Sequence, residues 1–388
     1  MRRRVVVIQR TLPHYRVPLF NLLRELLDER GIDFDLIVGQ AALWEASKND
    51  EGSLPWAKTV KNRYIKFGKR HAVWQPAWGL TRGADLVVVE QASRLLINYS
   101  LLFSRRFGGP KIAFWGHGRN LNLATRSRLG ESLKRRLIGM SDWWFAYTAG
   151  TADLLQTAGV SARQITVLQN AIDTKSLAEQ RAAVSADETA ALREQLGIGI
   201  SAKVGLVLGS IYAEKRPDFV VESADLIREA VPDFNLIVIG DGPLRSVFDV
   251  AAATRPWIHV VGSKNGPALA GYAAISSVML NPGVVGLAVL DAFALGLPMV
   301  TCQLSNHGPE FSYLLDGHNG LVARDAAIPA EFATHTIRLL SDGEMLAKLQ
   351  RGCASAAMEF TIGGMAENFA AGIVAAINSA KFDGHFDE

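Results

Sequence analysis

The residues best suited to chemistry lie in one short stretch, Asn281-Pro282-Gly283-Val284-Val285-Gly286-Leu287-Ala288-Val289-Leu290-Asp291-Ala292-Phe293-Ala294-Leu295-Gly296-Leu297-Pro298. Asn-Pro-Gly starts a turn and Gly286 lets a ligand approach the backbone. The apolar run that follows ends at Gly296, and Pro298 forbids its continuation. This predicts a short helix with both ends marked. Its first amides, those of Val285, Gly286 and Leu287, lack partners within the helix and, with the helix dipole, suit an anion such as a diphosphate. Asp291, about one turn further in, is placed to accept hydrogen bonds from a sugar diol. Taken alone, however, the stretch reads as a buried helix with one capping-type acid.

Three further side chains bear on the choice. Lys215 follows a strand-ending glycine, Gly209; a lysine is most often a solvated charge, but this place favours a phosphate partner. His117, in Trp115-Gly116-His117-Gly118, follows a buried strand, with glycines on both sides that leave its ring accessible. A lone histidine is more often structural. Glu310, after Gly308-Pro309, is either a helix-start acid satisfying amides or part of a loop with Ser305, Asn306 and His307 beside the central helix.

The elements that must position these groups follow a regular pattern. At 388 residues the chain is too long for one ordinary core. Val5-Val6-Val7-Ile8 is the continuous apolar run of a strand buried on both faces, and a helical pattern from Pro18 to Arg30 follows it. Strands at 34–38, 85–89, 111–115, 143–147 and 165–168 alternate with helices, which predicts a parallel sheet. An Ala- and charge-rich segment, Leu177 to Gly197, reads as a helical connection. The pattern then restarts, with strands at 204–209, 235–239, 258–261, 278–280 and 299–301. Gly209, Gly240, Gly262, Pro282 and His307 all follow strands, so one edge of the second half collects the loops where such sheets bind ligands. The expectation is two α/β domains facing across a cleft: residues 1–175, residues 176–365, and a final helix over 366–388 packing back on the first domain.

Composition sets limits. About half the residues are apolar (49%) and 20% charged, a globular balance. The net charge of +3 argues against a nucleic-acid binder. Cys302 and Cys353 make no disulfide framework and stand in no metal-ligand spacing with histidines, so a reducing cytoplasm is the expected location. No apolar run reaches the roughly 20 residues of a membrane span, and the run after Arg2-Arg3-Arg4 is too short for a signal peptide. A basic segment, Arg126, Arg128, Lys134, Arg135 and Arg136, with Leu129, Leu133, Leu137 and Ile138 on its apolar side, has the pattern of a helix lying on an anionic membrane, to which Arg2–Arg4 and Arg105-Arg106 could add. The plainer reading is a solvated face.

Across nearly its whole length the sequence resembles a family 4 glycosyltransferase of the two-domain GT-B type. The resemblance rests on ordered motifs: His14-Tyr15-Arg16-Val17-Pro18-Leu19-Phe20, Asn170-Ala171-Ile172-Asp173, Glu214-Lys215, Gly240-Asp241-Gly242-Pro243, Ala294-Leu295-Gly296-Leu297-Pro298, and Asp316-Gly317-His318-Asn319-Gly320-Leu321-Val322. It implies transfer of a sugar from a nucleotide-diphosphate donor to a glycan or lipid-linked acceptor, with retention of configuration, no cofactor and no metal. The second domain would hold the nucleotide and the first the acceptor, with His14, Tyr15 and Arg16 on the acceptor or donor-sugar side and His117 contacting the donor sugar. Asp291 takes the place of the family's second motif acid, on the ribose. Two departures stand out. The first motif acid is Gly283 here, which leaves the donor sugar open and admits a catalytically silent sugar-nucleotide-binding subunit as the rival reading. A nucleotide-sugar epimerase on the same two-domain plan is a weaker third. The family's arginine is Ser210, with Arg216 or Arg16 as candidate replacements for the lost cation.

Overall fold

The computed structural model describes residues 2–42, 51–68, 70–118 and 139–380. The chain divides into two compact units, Met1–Asp173 with Ile362–Glu388, and Thr174–Thr361.

The first unit is built on a seven-stranded sheet and a hairpin. In chain order the strands are β1 (Arg3–Gln9), β2 (Ile32–Gly39), β3 (Lys58–Val60), β4 (Arg63–Phe67), β5 (Arg70–Trp74), β6 (Leu86–Glu90), β7 (Lys111–Gly116), β8 (Trp143–Ala146) and β9 (Ile165–Val167). The sheet order is β3-β2-β1-β6-β7-β8-β9, parallel throughout. Val5, Val6, Val7 and Ile8 are all but inaccessible, as their unbroken apolar run requires, because helices cover both faces. The antiparallel pair β4–β5 stands apart from this sheet and falls where the sequence suggests no element. The helix Val17–Glu29 packs against the C-terminal helix Ile362–Asn378. The ammonium of Lys111, at the start of β7, donates to the carbonyls of Ala376 (3.0 Å), Ile377 (2.7 Å) and Ser379. A cation there meets the unsatisfied acceptors of a helix C-terminus.

The second unit has strands β10 (Val204–Leu208), β11 (Asn235–Ile239), β12 (Ile258–Gly262), β13 (Val278–Asn281), β14 (Met299–Cys302) and β15 (Gly320–Ala323). They are ordered β12-β11-β10-β13-β14-β15 and all parallel. This is the doubly wound order whose direction reverses between β10 and β13, opening a crevice at the carboxyl ends of those two strands. Phe234, Phe248 and Phe332 fill the core. The segment expected to join the domains forms two helices, Lys175–Ala183 and Ala186–Gln195, the second opened by a Ser185/Glu188 capping box. Both pack on the helix Gly266–Ala274 and so belong to the second unit.

One stretch departs from expectation: Gly343–Asn378 is apolar and long enough by composition to cross a membrane. It consists of two helices, Gly343–Glu359 and Ile362–Asn378, whose apolar residues Leu349, Cys353, Met365, Phe369 and Ile373 are core positions within their respective units.

Several cations expected on a basic patch are neutralised. Arg2 pairs with Asp28 (2.6 Å) and Asp33 (3.1 Å), Arg3 with Asp85 (2.7 Å), Arg4 with Asp35, and Arg105 with Asp142 (2.9 Å). The basic segment from Arg126 to Arg136 lies outside the described residues.

Candidate functional site

The frame of the site is backbone. At the carboxyl edge of the second sheet the strand-end loops are tied together: Gly209 donates to Ile239 O (3.0 Å), Gly240 to Gly262 O (3.1 Å), Ile211 to Asp241 O (2.9 Å) and Val284 to Glu214 O (2.9 Å). The closeness requires glycine. A Cβ on Gly240, whose φ is 147°, would lie 1.9 Å from Gly209 O.

Gly283 is held by the same closeness. A side chain there would begin 2.2 Å from Glu214 O and 2.5 Å from Lys215 Cα, so the loop carrying Lys215 lies directly on it. A carboxylate side chain therefore does not fit at this position while the 214–216 loop lies where it does.

Lys215 sits at the crevice between β10 and β13. Its ammonium donates to Val284 O at 2.8 Å, and burial pushes its pKa down to about 8. Ser210 is exposed at the end of β10, and Ser210, Lys215 and Asn281 line a cavity of about 10 Å³, room for roughly one water. Arg216 adopts a left-handed backbone (φ 57°). Its guanidinium donates to Pro282 O (3.3 Å) and Ala326 O (2.6 Å) and lies 3.9 Å over the Phe219 ring. These contacts tie three segments together, so the Arg216 guanidinium, expected as a candidate phosphate cation, is engaged by the frame.

The organising helix is shorter than the sequence suggests, Ala288–Ala294, because the residues before it bond outward. Val285 donates its amide to His307 Nδ1 at 3.0 Å, which removes it from the set of three anion-binding amides. Those of Gly286 and Leu287 donate to nothing among the described residues. His307 is buried and stacked 3.9 Å on Phe311, and its Nε2 lies 2.8 Å from Cys302 O. Its Nε2 also lies 3.2 Å from the Leu304 amide, so the ring bridges three backbone groups. It pins the loop after β14 to the turn after β13, a role that no spacing in the sequence signals.

Asp291 projects from the first turn of this helix, half-buried, with no hydrogen-bond partner among the described residues. Desolvation raises its pKa to about 7. Glu310 is buried in the adjoining turn Pro309–Tyr313, with Oε2 4.0 Å from the point where a Gly286 Cβ would stand. The crevice thus gathers Ser210, Lys215, the amides of Gly286 and Leu287, Asp291 and Glu310 on one sheet edge.

The remaining candidates belong to the first unit. Arg16 is buried, donating to Asn170 Oδ1 at 2.8 Å, with its guanidinium 5.3 Å from the Tyr15 ring centre, 5.0 Å from Trp115 and 5.6 Å from Tyr147. His14 packs edge-on against Tyr15 (6.0 Å), and His117, after β7, edge-on against Tyr147 (6.0 Å). Tyr147 therefore links His117 to the His14-Tyr15-Arg16 turn. Arg16 is enclosed by its own unit and is not available as a diphosphate cation.

Comparisons with known proteins bear on the fold. The chain is 24% identical to an alpha-monoglucosyldiacylglycerol synthase from Acholeplasma laidlawii over 48% of this chain and 47% of the relative. It is 29% identical to a GDP-mannose-dependent alpha-(1-6)-phosphatidylinositol monomannoside mannosyltransferase from Mycolicibacterium smegmatis over 39% and 42%. These alignments span about half the length of each curated relative or less. The crystal structure of Anabaena HepE in complex with UDP superposes with a TM-score of 0.67 at 14% identity, covering 96% of this chain and 99% of that one. The model of the family described as glycosyl transferases group 1 matches residues 202–342, from just before β10 through the helix that follows β15. The chain therefore has the GT-B fold, and its residues 202–342 are similar to the glycosyl transferases group 1 family.

Proposed function

We propose that this chain is a retaining glycosyltransferase of family 4 that moves a sugar from a nucleotide-diphosphate donor to a glycan or lipid-linked acceptor, in cell-surface polysaccharide or glycolipid assembly. The observation that carries this is a half-buried carboxyl, Asp291, without a partner among the described residues, on the same sheet edge as a half-buried ammonium, Lys215, at the switch point of a doubly wound sheet. Leaving two such groups poorly solvated is costly unless a ligand completes them. A diphosphate meets Lys215 and the Gly286 and Leu287 amides, and a ribose diol meets Asp291.

In this reading electrostatic stabilisation of the departing diphosphate does most of the chemistry, with countercharge from Lys215 and amides and no metal. His117 is assigned to the donor sugar on the family pattern. The two relatives named for lipid acceptors support a lipid-linked acceptor, and with it a cytoplasmic enzyme peripheral to the membrane, touching it through the basic segment from Arg126 to Arg136. The closed position at Gly283 is the one observation that favours the rival, a silent binding subunit.

A thermal-shift screen over nucleotide diphosphates and nucleotide sugars tests binding, because a ligand of the folded state stabilises it by mass action. Stabilisation by a nucleoside diphosphate, lost in Lys215→Ala, is expected; none from any nucleotide would remove the proposal. Product formation abolished by His117→Ala would exclude the silent subunit, and its absence across a full panel of donors and acceptors would favour it.

A further inference from the structure

A hollow of about 890 Å³ lies within the first unit, at the amino ends of β1, β6 and β7. The length of β6, roughly 15 Å, separates it from the carboxyl edge, and no residue assigned above to sugar transfer lines it. Its walls break the usual pattern of a surface helix. The helix Leu96–Ser104 buries Ile97, Leu101 and Leu102, and its outward side should be polar. Instead Phe103 is 63% exposed there, with Phe107, 75% exposed, 5.1 Å from it ring to ring. Trp78, 51% exposed, lines the same hollow. A Cβ added at Gly83 or Gly108, which also line it, would meet no atom within 4 Å, so the floor is open. Three exposed aromatic rings around one concavity suit a flat apolar body.

Charge supplies the second half of the argument. The lining carries three cations, Arg3, Arg82 and Lys111, against one acid, Asp85. Asp85 is already committed to Arg3 (2.7 Å) and to the Arg4 amide (2.8 Å). The Lys111 ammonium donates to three carbonyls, which use its protons without cancelling its charge. The Arg82 guanidinium has no partner among the described residues. The hollow is therefore positive and holds a planar donor suited to an anion. The lining hydroxyls of Thr81, Ser100 and Ser104 all donate to backbone carbonyls, those of Trp78 (2.8 Å), Ile97 (2.8 Å) and Leu101 (2.7 Å). None is left to donate to the polar edge of a nucleobase. A flexible aliphatic chain would lose more rotamer freedom in the same space and gain no ring-to-ring contact.

We propose that this hollow binds a small aromatic acid, its ring against Trp78, Phe103 and Phe107 and its carboxylate on Arg82. The site is separate from the nucleotide crevice and does not depend on the function proposed above. The test is calorimetric titration of the full chain with 2-naphthoate and with its neutral counterpart 2-naphthalenemethanol. Wild type should take up one naphthoate per chain, at least about tenfold more tightly than the alcohol, the ratio that a hydrogen bond to a charged group confers. Arg82→Met should remove that preference while the alcohol still binds. Ser100→Phe, which fills the hollow, should weaken both ligands at least about tenfold at an unchanged melting temperature; if it does not fold, the ratio in Arg82→Met decides alone. Wild type that ignores naphthoate, an Arg82→Met variant that keeps the preference, or decanoate that binds more tightly than naphthoate would each overturn the proposal. Displacement of naphthoate by a nucleoside diphosphate would also do so, by putting the acid in the crevice of the second unit. Self-association of the chain or adsorption to phosphatidylcholine vesicles, if lost in Phe107→Ser, would show that a second copy or a bilayer covers the rings instead.

Discussion

The two parallel sheets of this chain reverse direction in the same way, yet their carboxyl edges handle charge oppositely. In the first unit, Arg16 is enclosed by Tyr15, Trp115, Tyr147 and Asn170. Glu90, at the end of β6, accepts the Arg10 amide at 2.7 Å. In the second unit, Lys215 satisfies one of its three donors on a carbonyl, Asp291 has no partner among the described residues, and two turn amides point at nothing there. Topology locates a crevice in each sheet. What supports reading the second as a binding site is the incompleteness of its polar groups among the described residues.

The strongest way to break the comparison is to disturb the packing that brings Lys215 over the turn. Gly283→Ala places a methyl group 2.2 Å from Glu214 O, and should cost about 3 kcal/mol of stability together with nucleotide affinity. Thermal denaturation and calorimetry of the single variant check this; a wild-type melting temperature would show that the loop is free to move aside. The longer Gly283→Glu should not fold.

Lys215→Ala should weaken nucleoside-diphosphate binding by about 1.5 to 3 kcal/mol, the size of a hydrogen bond to a charged group. Arg16→Ala should instead lower the melting temperature and leave that affinity alone. Calorimetric titration of both variants separates the edges, and identical losses in affinity would erase the distinction.

Asp291→Asn should make the unliganded protein more stable by about 2 kcal/mol above pH 7, while ribonucleotide binding falls and pyrophosphate binding is kept. The sign follows from linkage. The folded-state pKa near 7 lies above the unfolded value of 3.8, so the folded chain holds a proton the unfolded one releases, and stability falls as pH rises between these values. Removing the titration removes that loss. Urea denaturation at pH 5 and pH 8 provides the test, and the stabilisation should be larger at pH 8.

The smallest effect is a pH profile. Affinity for a ribonucleoside diphosphate should rise as Asp291 ionises near pH 7 and fall as Lys215 loses its proton near pH 8, giving a bell. Both ligands carry a phosphate that itself ionises at about pH 6, so the comparison is made against Asp291→Asn, which should change the acid limb for the ribonucleotide and leave that for pyrophosphate as it is. Equal changes with both ligands would take Asp291 away from the ribose.

How much of this was legible beforehand depended on whether the cause was local. The runs Val5–Ile8 and Asn235–Ile239, with glycines and prolines between segments, imposed parallel strands and crossover helices, because a strand covered on both faces has to be apolar throughout. The type and order of Lys215, Asp291 and the turn before Ala288 were equally readable, since turns and helix starts depend on a few adjacent residues. The hairpin was not, because Lys58 to Trp74 alternates cations with apolar residues and lacks the composition of a buried strand. Nor could spacing show that Arg16 would be enclosed, that Arg216 would be tied to Pro282 and Ala326, that His307 would take the Val285 amide, or that the 214–216 backbone would close over Gly283. Each of these is a contact between segments that are distant in sequence. Sequence alone determined which groups could bind a diphosphate and a sugar; only the tertiary structure decided which of them are already satisfied by other parts of the chain, because a polar group's availability depends on its neighbours in space.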